Sequence, residues 1–374
     1  MAHKIAEKVN EAGGRVFFVG GYVRDRIMNL ANKDIDIEVH GIEAGTLAEI
    51  LDSLGELLTM GASFEIMKLR HYDLDIALPV DIDGGAYKAA LRRDFTMNAL
   101  MQDVLTGEIL DFFGGIGDIE SRTIKHVSSK TFTADPLRVL RAARFAACLN
   151  FDIDSETKNF ASLVNIESLP NERVINELSI TLLKAVRPSK FFEALQEMSQ
   201  ADYYFPGIKN FELIDSVAEV RDSAQEKLYF MIASLCVDLD LPEKFLTRLT
   251  SEEKLIKYVL NMLDLLKRIN FAVSERDYMK IFDDSICGSD LLLLSGIIYG
   301  DRRCERENFF ALYNSRMREP YLMGRDLIIN GVKPGALMGE ALKFAHDLRL
   351  MGVNKDEQLT RTLKFLRECE AKNL

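Results

Sequence analysis

Residues 1–127 alternate between strand-like and helix-like patterns of apolar residues. RVFFVGG at residues 15–21 is a short β-rich run that ends in glycines, and YVRDRIMN reads as the start of a helix directly after it. DIDIEVHG at residues 34–41 alternates acidic and apolar residues, the period of a half-buried strand. ASFEIMKLR and HYDLDIALP, at residues 62–70 and 71–79, are similar. These runs predict about four or five short strands with a covering helix.

From about Lys130 onward, apolar residues recur at helical spacing almost without interruption. The segment ADPLRVLRAARFAACLN, at residues 134–150, also carries Arg138, Arg141 and Arg144. Proline and glycine separate this segment from further helical runs, for example at RPSK, FPG and KPG. The fold class predicted is α+β, in which a small head with a mixed β-sheet precedes an all-helical remainder.

Composition is that of an ordinary globular protein, with 48% hydrophobic and 28% charged residues. The N-terminal MAHKIAEKVNEAGG lacks the apolar core of a signal peptide, and no apolar run reaches the roughly 18 residues of a membrane span. The five cysteines are odd in number and lack CxxC pairs. They are typical of reduced thiols, so we expect a cytoplasmic protein with no membrane partner.

The net charge of -11 argues at face value against a nucleic-acid partner. Phosphate binding depends on local clusters of basic residues, however, and such clusters occur at Arg92-Arg93 and along residues 138–144. Nucleic-acid binding therefore remains open on charge alone. Oligomeric state is not legible from the sequence.

Asp34 and Asp36 are separated by one residue, so on a strand their side chains leave the same face. Two carboxylates about 6–7 Å apart should repel each other in an apolar setting. They become favourable when they share divalent cations, and Mg²⁺ prefers such oxygen ligands. A solvated strand edge is the alternative for an isolated Asp-x-Asp.

Gly20 and Gly21 follow a β run and lead into a helix start, where backbone N–H groups can approach a triphosphate closely. A glycine pair alone is more often a simple turn, and this one matches neither GxGxxG nor a Walker loop. The combination of a glycine turn and an acidic strand within a short stretch is the more informative feature.

GGYVRD followed by DIDIEV resembles the first motif of the class II tRNA nucleotidyltransferase and bacterial poly(A) polymerase family. RRDFTMNA at residues 92–99 is similar to the family's RRDFTxNA motif, and LDFFGGIGDIESRTIKHV at residues 110–127 to its D-x-x-GG stretch. TADPLR at residues 133–138 resembles the nucleotide-template motif, LPNERVINEL at residues 169–178 the neck motif, and residues 324–342 the tail signature.

The resemblance implies a nucleotidyltransferase head over residues 1–127, a helical neck with the template region over 128–190, and a tRNA-binding body and tail over 191–374. It implies transfer of nucleotides from CTP and ATP to the 3′ end of tRNA, with release of pyrophosphate. The transfer would use a two-metal mechanism with Mg²⁺. The acceptor and T arms of tRNA would be recognised by shape and phosphates.

The resemblance also assigns roles to individual residues. Asp34 and Asp36 would be the catalytic metal ligands, with Asp73 or Asp75 as a possible third. The nucleotide-binding set shares the task of holding phosphate, sugar and base, and comprises Gly20, Gly21, Arg24, Arg92, Arg93, Asp94, Asn98, Asp135, Arg138, Arg141 and Arg144.

Asp135 and Arg138 suit a protein template for cytosine and adenine. Each of these bases presents an amino donor beside a ring-nitrogen acceptor, which matches one carboxylate and one guanidinium. Uracil and guanine would each leave an unpaired group, at a cost of about 1–3 kcal/mol. An N-terminal helix cap with a surface arginine is the alternative outside this motif.

Two features depart from the family pattern. Ala134 stands where the family usually has Glu, which puts the support of the template loop in doubt. Only VDIDGGAYKAAL, residues 80–91, fills a gap that is longer and flexible in CCA-adding members. A short loop resembles members that add the two cytidines alone. CC addition, full CCA addition, poly(A) addition to other RNAs and an inert RNA-binding relative therefore remain alternatives.

Overall fold

A computed structural model describes residues 1–32, 34–60, 66–80 and 85–372. The chain divides into two compact units, Met1–Gly207 and Ile208–Leu374. The predicted head and neck both fall within the first unit. The finer division at residues 127 and 190 stays a prediction.

The first unit contains a mixed seven-stranded sheet in the order β3-β4-β5-β2-β1-β6-β7. β2 and β5 are parallel, and the other neighbours are antiparallel. The strands are β1 (Arg15–Val19), β2 (Ile35–His40), β3 (Leu57–Met60), β4 (Ile66–Leu69), β5 (Leu74–Ala77), β6 (Met101–Asp103) and β7 (Ile109–Leu110).

The predicted mixed sheet is confirmed, but the expectation of about four or five strands is wrong. β3, with the sequence LLTM, has only four residues and begins with two adjacent leucines, so it shows no clear alternation. β6 and β7 are too short to show alternation. A further parallel pair, β8 (Thr123–Ile124) and β9 (Asp152–Ile153), was also not predicted, because strands of two residues show no periodic pattern.

The helices of the first unit include a long central helix, α7, whose apolar residues are buried while its arginines reach the surface of a cleft. The helices are α1 (Ala2–Glu11), α2 (Gly21–Ile27), α3 (Ala44–Asp52), α4 (Gly85–Leu91), α5 (Gly115–Glu120), α6 (Ser129–Ala134), α7 (Leu137–Leu149), α8 (Ser155–Ser162), α9 (Asn171–Lys184), α10 (Ser189–Glu197) and α11 (Ala201–Tyr204).

The described part of the second unit is helical, as predicted, with a 3₁₀ turn at Arg221–Ser223. Its helices are α12 (Phe211–Val220), α13 (Lys227–Cys236), α14 (Pro242–Leu249), α15 (Glu253–Phe271), α16 (Glu275–Asp283), α17 (Gly288–Ile298), α18 (Arg303–Arg318), α19 (Gly324–Ile329), α20 (Ala336–Leu350) and α21 (Lys355–Lys372). Within the described ranges, every helix is too short or too polar to span a membrane.

Candidate active site

A cleft of about 620 Å³ opens in the first unit, beside the ends of β1 and β2 and against the start of α7. All thirteen residues of the predicted catalytic and nucleotide-binding sets line it, although they come from four separate stretches of the chain. They are Gly20, Gly21, Arg24, Asp34, Asp36, Arg92, Arg93, Asp94, Asn98, Asp135, Arg138, Arg141 and Arg144.

The cleft is cationic even though the whole chain carries a net charge of -11. Among the described residues that line it, seven are arginines and four are aspartates. Local excess of positive charge in a concave site concentrates phosphate-bearing ligands there. Global acidity therefore does not oppose nucleotide binding at this place.

The glycine pair forms the turn between β1 and α2. Gly20 has a φ of 67°, a left-handed conformation that residues with a Cβ rarely adopt, and α2 begins at Gly21. A Cβ at Gly20 would lie 3.6 Å from Nη1 of Arg93. The turn thus brings bare backbone and a guanidinium together at one edge of the cleft.

The acidic pair lies at the start of β2, as the sequence predicted. Asp34 is exposed directly before the strand and Asp36 is half-buried within it. Burial, Asp75 and Asp34 raise the pKa of Asp36, against the opposing charges of Arg93 and Lys68. The negative charges are therefore incompletely balanced by the protein itself, which is the electrostatic setting that a divalent cation would relieve.

Asp75 faces Asp36 across the parallel β2–β5 pair, so both side chains leave the same face of the sheet. The Asp75 carboxylate lies 2.5 Å from Nζ of Lys68. Asp73 is exposed and precedes β5. In the described ranges no three His, Cys, Asp or Glu side chains cluster closely enough to hold a metal. A third carboxylate ligand stays a prediction.

A buried chain of hydrogen bonds forms the back of the cleft. Arg24 donates from Nη1 to Oδ1 of Asn98 at 2.8 Å, and Asn98 donates from Nδ2 to Oδ1 of Asp94 at 3.0 Å. Arg141 donates from Nε to Oδ2 of Asp94 at 2.7 Å. Burial opposes the charge of Asp94, but Arg141, Asn98 and the Phe95 N–H outweigh it and lower its pKa. Asp94 therefore anchors α7 to the head.

Arg144 extends this network to α9. Its Nε donates to Oε2 of the buried Glu177 at 2.5 Å, and Nη1 of Arg141 lies 3.9 Å from Oε1 of Glu177. The guanidinium carbons of Arg24, Arg141 and Arg144 lie 5.2, 5.4 and 4.1 Å from the ring centroid of Phe145. One aromatic ring thus contacts three cleft arginines by cation–π interaction.

The D-x-x-GG-x-x-D stretch supports the floor of the cleft. The Asp111 carboxylate accepts from the N–H groups of Gly115 and Ile116 at 2.8 and 3.0 Å, and Asp118 accepts from Thr96 Oγ1 at 2.5 Å. A Cβ at Gly115 would lie 2.3 Å from the carbonyl oxygen of Thr96. This close approach holds the 3₁₀ turn at Thr96–Asn98, which carries Asn98.

The predicted template residues lie together at the entrance to α7. Asp135 accepts from the N–H of Leu137 at 3.1 Å, and Nη2 of Arg173 lies 3.3 and 3.4 Å from its two carboxylate oxygens. Arg138 donates to the carbonyl oxygens of Arg92 and Arg93 at 2.7 and 3.3 Å. Both side chains are oriented by neighbours before any base is present.

The short segment at residues 80–91 is described only in part, because residues 81–84 lie outside the described ranges. Its second half is α4. Ala90 is buried in the head, and the ring of Tyr87 lies 5.5 Å from the rings of both Phe112 and Phe113. This half of the segment is packed onto the sheet domain.

Comparison with known proteins decides the family. A family model for the poly A polymerase head domain matches residues 80–125. The chain is 31% identical over 355 residues to the CCA-adding enzyme of Staphylococcus epidermidis, covering 88% of this chain and 86% of the relative. This chain belongs to the CCA-adding enzyme family. It is also 27% identical over 371 residues to the CCA-adding enzyme of Leuconostoc citreum, covering 91% and 89% of the two chains.

Solved CCA-adding enzymes share the fold. A CCA-adding enzyme in complex with ATP aligns with a TM-score of 0.75 at 24% identity, covering 97% of this chain and 94% of that one. The Thermotoga maritima CCA-adding enzyme complexed with tRNA aligns with a TM-score of 0.71 at 23% identity, with the same coverage. As a member of the family, the chain is a tRNA 3′-end nucleotidyltransferase, and the family generally uses a divalent metal.

Three residues that contact the side chains of the site were not identified from the sequence. Arg173 and Glu177 both lie in the neck motif, four residues apart on one helix face, and this spacing was an available signal. Glu38 continues the alternation of Asp34 and Asp36 along β2, but its partner lies elsewhere in the chain.

Proposed function

We propose that this enzyme adds cytidine, followed by adenosine, to the 3′ end of tRNA, using CTP and ATP and Mg²⁺. The observation that carries the proposal is the meeting in one cleft of an acidic pair, a glycine turn and an Asp–Arg template pair. The oxygen of the RNA 3′-hydroxyl bonds to the α-phosphorus of the nucleotide. The bond to the β-phosphate then breaks, and pyrophosphate leaves.

Asp34 and Asp36 would hold the metal ions. Their fit rests on oxygen chemistry and on the setting of Asp36, whose pKa is raised by burial and by the nearby carboxylates of Asp75 and Asp34. Bound divalent ions would activate the attacking hydroxyl and stabilise the leaving pyrophosphate. Asp75 is less suited as a direct ligand because Lys68 already balances its charge.

Phosphate binding would fall to the glycine turn and to Arg92 and Arg93. The N–H groups at the start of α2 and the nearby Arg93 guanidinium offer donors on the same side of the cleft. Arg24 has a different part, because Asp25 and Asn98 accept its hydrogen bonds inside the protein. We assign Arg24 to support of the cleft wall.

Base selection would use Asp135 and Arg138. Arg173 holds the Asp135 carboxylate in place, and the backbone of Arg92 and Arg93 holds Arg138. This support comes from α9 and the RRDFT motif. It can replace the support that the family's usual Glu would give at the position of Ala134. The template pair therefore keeps an ordered geometry without the family's usual Glu.

Solved CCA-adding enzymes are known in complexes with ATP, CTP and tRNA, which supports these substrates here. The helical second unit would take the acceptor and T arms of tRNA. All five cysteines are free thiols, in keeping with a reducing cytoplasmic setting.

A second candidate is an enzyme that adds the two cytidines alone. The specific observation in its favour is the short segment at residues 80–91, whose described half is fixed by Ala90 in the core and by Tyr87 against Phe112 and Phe113. By resemblance, a longer mobile loop would be needed to reshape the pocket for ATP.

The test is gel-resolved extension of a tRNA that ends at the discriminator base, with CTP alone, ATP alone and both, plus a second tRNA that ends in CC. Full CCA addition predicts three added nucleotides with both substrates and one adenosine on the CC-ending tRNA. CC addition predicts two nucleotides and none on the second substrate. Long adenosine tracts on an RNA that is not tRNA would instead indicate poly(A) polymerase activity, and absence of any extension would refute the proposal.

A further inference from the structure

The polar face of β2 continues past the proposed metal ligands into the protein interior. Glu38 and His40 follow Asp36 at alternate positions, but they are buried, with 7% and 8% of their surfaces exposed. A solvated strand edge does not explain two buried ionisable side chains, because burial of a charge is costly unless it is paired.

Glu38 joins two partners through its separate oxygens. Nη2 of Arg93 donates to Oε2 at 2.9 Å, and Nε2 of His40 lies 2.8 Å from Oε1. The His40 ring packs edge-on against Phe17, with centroids 5.4 Å apart. His40 Nδ1 is buried and has no hydrogen-bond partner among the described residues. The neutral tautomer with its proton on Nε2 suits this arrangement, since it donates to Glu38 and places no N–H at the unpaired position.

Each of the two Glu38 carboxylate oxygens therefore has one partner within hydrogen-bond distance. The described ionisable groups that face it are His40 on its own strand and Arg93 from the segment after α4.

Arg93 is the member of this group that reaches the cleft, and its side chain is 34% exposed. Glu38 binds Nη2, while Nη1 lies beside Gly20 at the glycine turn. The planar guanidinium fixes both nitrogens together, so an acceptor that holds Nη2 also sets the direction of Nη1.

We propose that Glu38, itself oriented by His40, is a positioning residue that aims the Arg93 guanidinium at the phosphates of the incoming nucleotide beside Gly20. The inference rests on the proposed function and extends it to two residues beyond the acidic pair. Glu38 and His40 do not touch the nucleotide and act through Arg93.

The experiment combines Glu38→Gln and Arg93→Ala in a double-mutant cycle. CTP affinity is measured by equilibrium binding without tRNA, and steady-state extension gives KM for CTP, KM for tRNA and kcat. Glu38→Gln should weaken CTP binding and raise its KM by about tenfold, the effect of one charge-assisted hydrogen bond, with KM for tRNA within about twofold. In the Arg93→Ala background, the same substitution should add almost nothing.

Glu56→Gln is the matched control, because Glu56 also binds an arginine, Arg70, at 2.9 Å but lies on the surface. It should leave every parameter unchanged. Arg93→Lys is the second variant if Glu38→Gln does not fold. Lysine can keep the ion pair with Glu38, but it has one terminal nitrogen where arginine has two in a fixed plane. It therefore cannot bind Glu38 and direct a second nitrogen at Gly20, so CTP binding should weaken by a similar factor.

Three results would overturn the inference: unchanged CTP binding in Glu38→Gln, equal losses in both Arg93 backgrounds, or a loss that falls on KM for tRNA. Equal losses would assign Glu38 a purely structural role. A wild-type protein that binds CTP but extends no tRNA would refute the proposed function. The double-mutant cycle measured by CTP binding would still test the role of Glu38 in that case.

Discussion

The buried Glu177 carboxylate supplies the negative charge that pairs with two cleft arginines, Arg144 and Arg141. Its side chain is 4% exposed, its Oε2 lies 2.5 Å from Nε of Arg144, and its Oε1 lies 3.9 Å from Nη1 of Arg141. Glu177→Gln keeps the shape and one acceptor oxygen but removes the charge. Arg144, with 13% of its side chain exposed, would then lack its counter-charge next to Arg141.

The expected cost follows from the kind of contact that is lost. A hydrogen bond to a charged group contributes about 1.5–3 kcal/mol, and removal of one partner from a fully buried ion pair costs about 3–5 kcal/mol. Glutamine retains an acceptor and Arg141 retains Asp94, so we expect a loss of about 2 kcal/mol in the free energy of unfolding. For a unit the size of Met1–Gly207 this lowers Tm by about 4–8 °C.

Thermal unfolding followed by circular dichroism measures the effect in wild type, Glu177→Gln and the control Glu197→Gln. Glu197 also forms an ion pair, with Lys158 at 2.6 Å, but 55% of its side chain is exposed. Exposed pairs contribute about 0–1 kcal/mol, so the control should shift Tm by at most about 2–4 °C. Equal Tm shifts in the two variants would refute the assignment of Glu177 as the support of the arginine cluster.

Two further predictions concern titratable groups in the two units. Burial raises the pKa of Cys236 to about 12, so iodoacetamide should modify the exposed Cys304 and leave Cys236 intact until denaturant is added; mass spectrometry checks this, and early loss of the Cys236 thiol would contradict it. The pKa of Asp94 is lowered below its usual 3.8, so its contribution is present above about pH 4 and is lost as pH falls through the folded value. The stability gap between wild type and Asp94→Asn, measured by urea unfolding, should therefore be constant from pH 7 to about pH 4 and shrink below it; a gap that widens in acid would contradict the sign.

The residues that the family motifs named all line one cleft, and each motif is a short local pattern. Gly20 and Asp36 belong to short runs whose strand or turn character is set by neighbouring residues. Arg138 and Arg141 share one face of a helix with clear apolar spacing. The resemblance thus named the side chains that share the cleft, while their individual roles stay predictions.

Contacts between distant segments could not be predicted in this way. Glu38 meets Arg93, Glu177 meets Arg144 and Arg173 meets Asp135 only after the sheet and helices pack. Side-chain direction across such separations depends on tertiary packing, which periodicity does not encode. The same limit explains β3, whose four residues lack a clear alternation and pair with β4 in the folded sheet.

The central claim is that the acidic pair on β2 binds the metal ions used in nucleotide transfer. The most direct measurement is the rate of CTP incorporation into tRNA that lacks its CCA end, as a function of Mg²⁺ concentration, for wild type, Asp36→Asn and the control Asp52→Asn. Loss of a ligand that contributes several kcal/mol to the transition state predicts a fall of about a thousandfold for Asp36→Asn at any Mg²⁺ concentration. Asp52→Asn, an exposed position at the end of α3 and outside the cleft, should stay within about twofold of wild type. Wild-type rates in Asp36→Asn, or transfer that does not depend on divalent ions, would contradict the account.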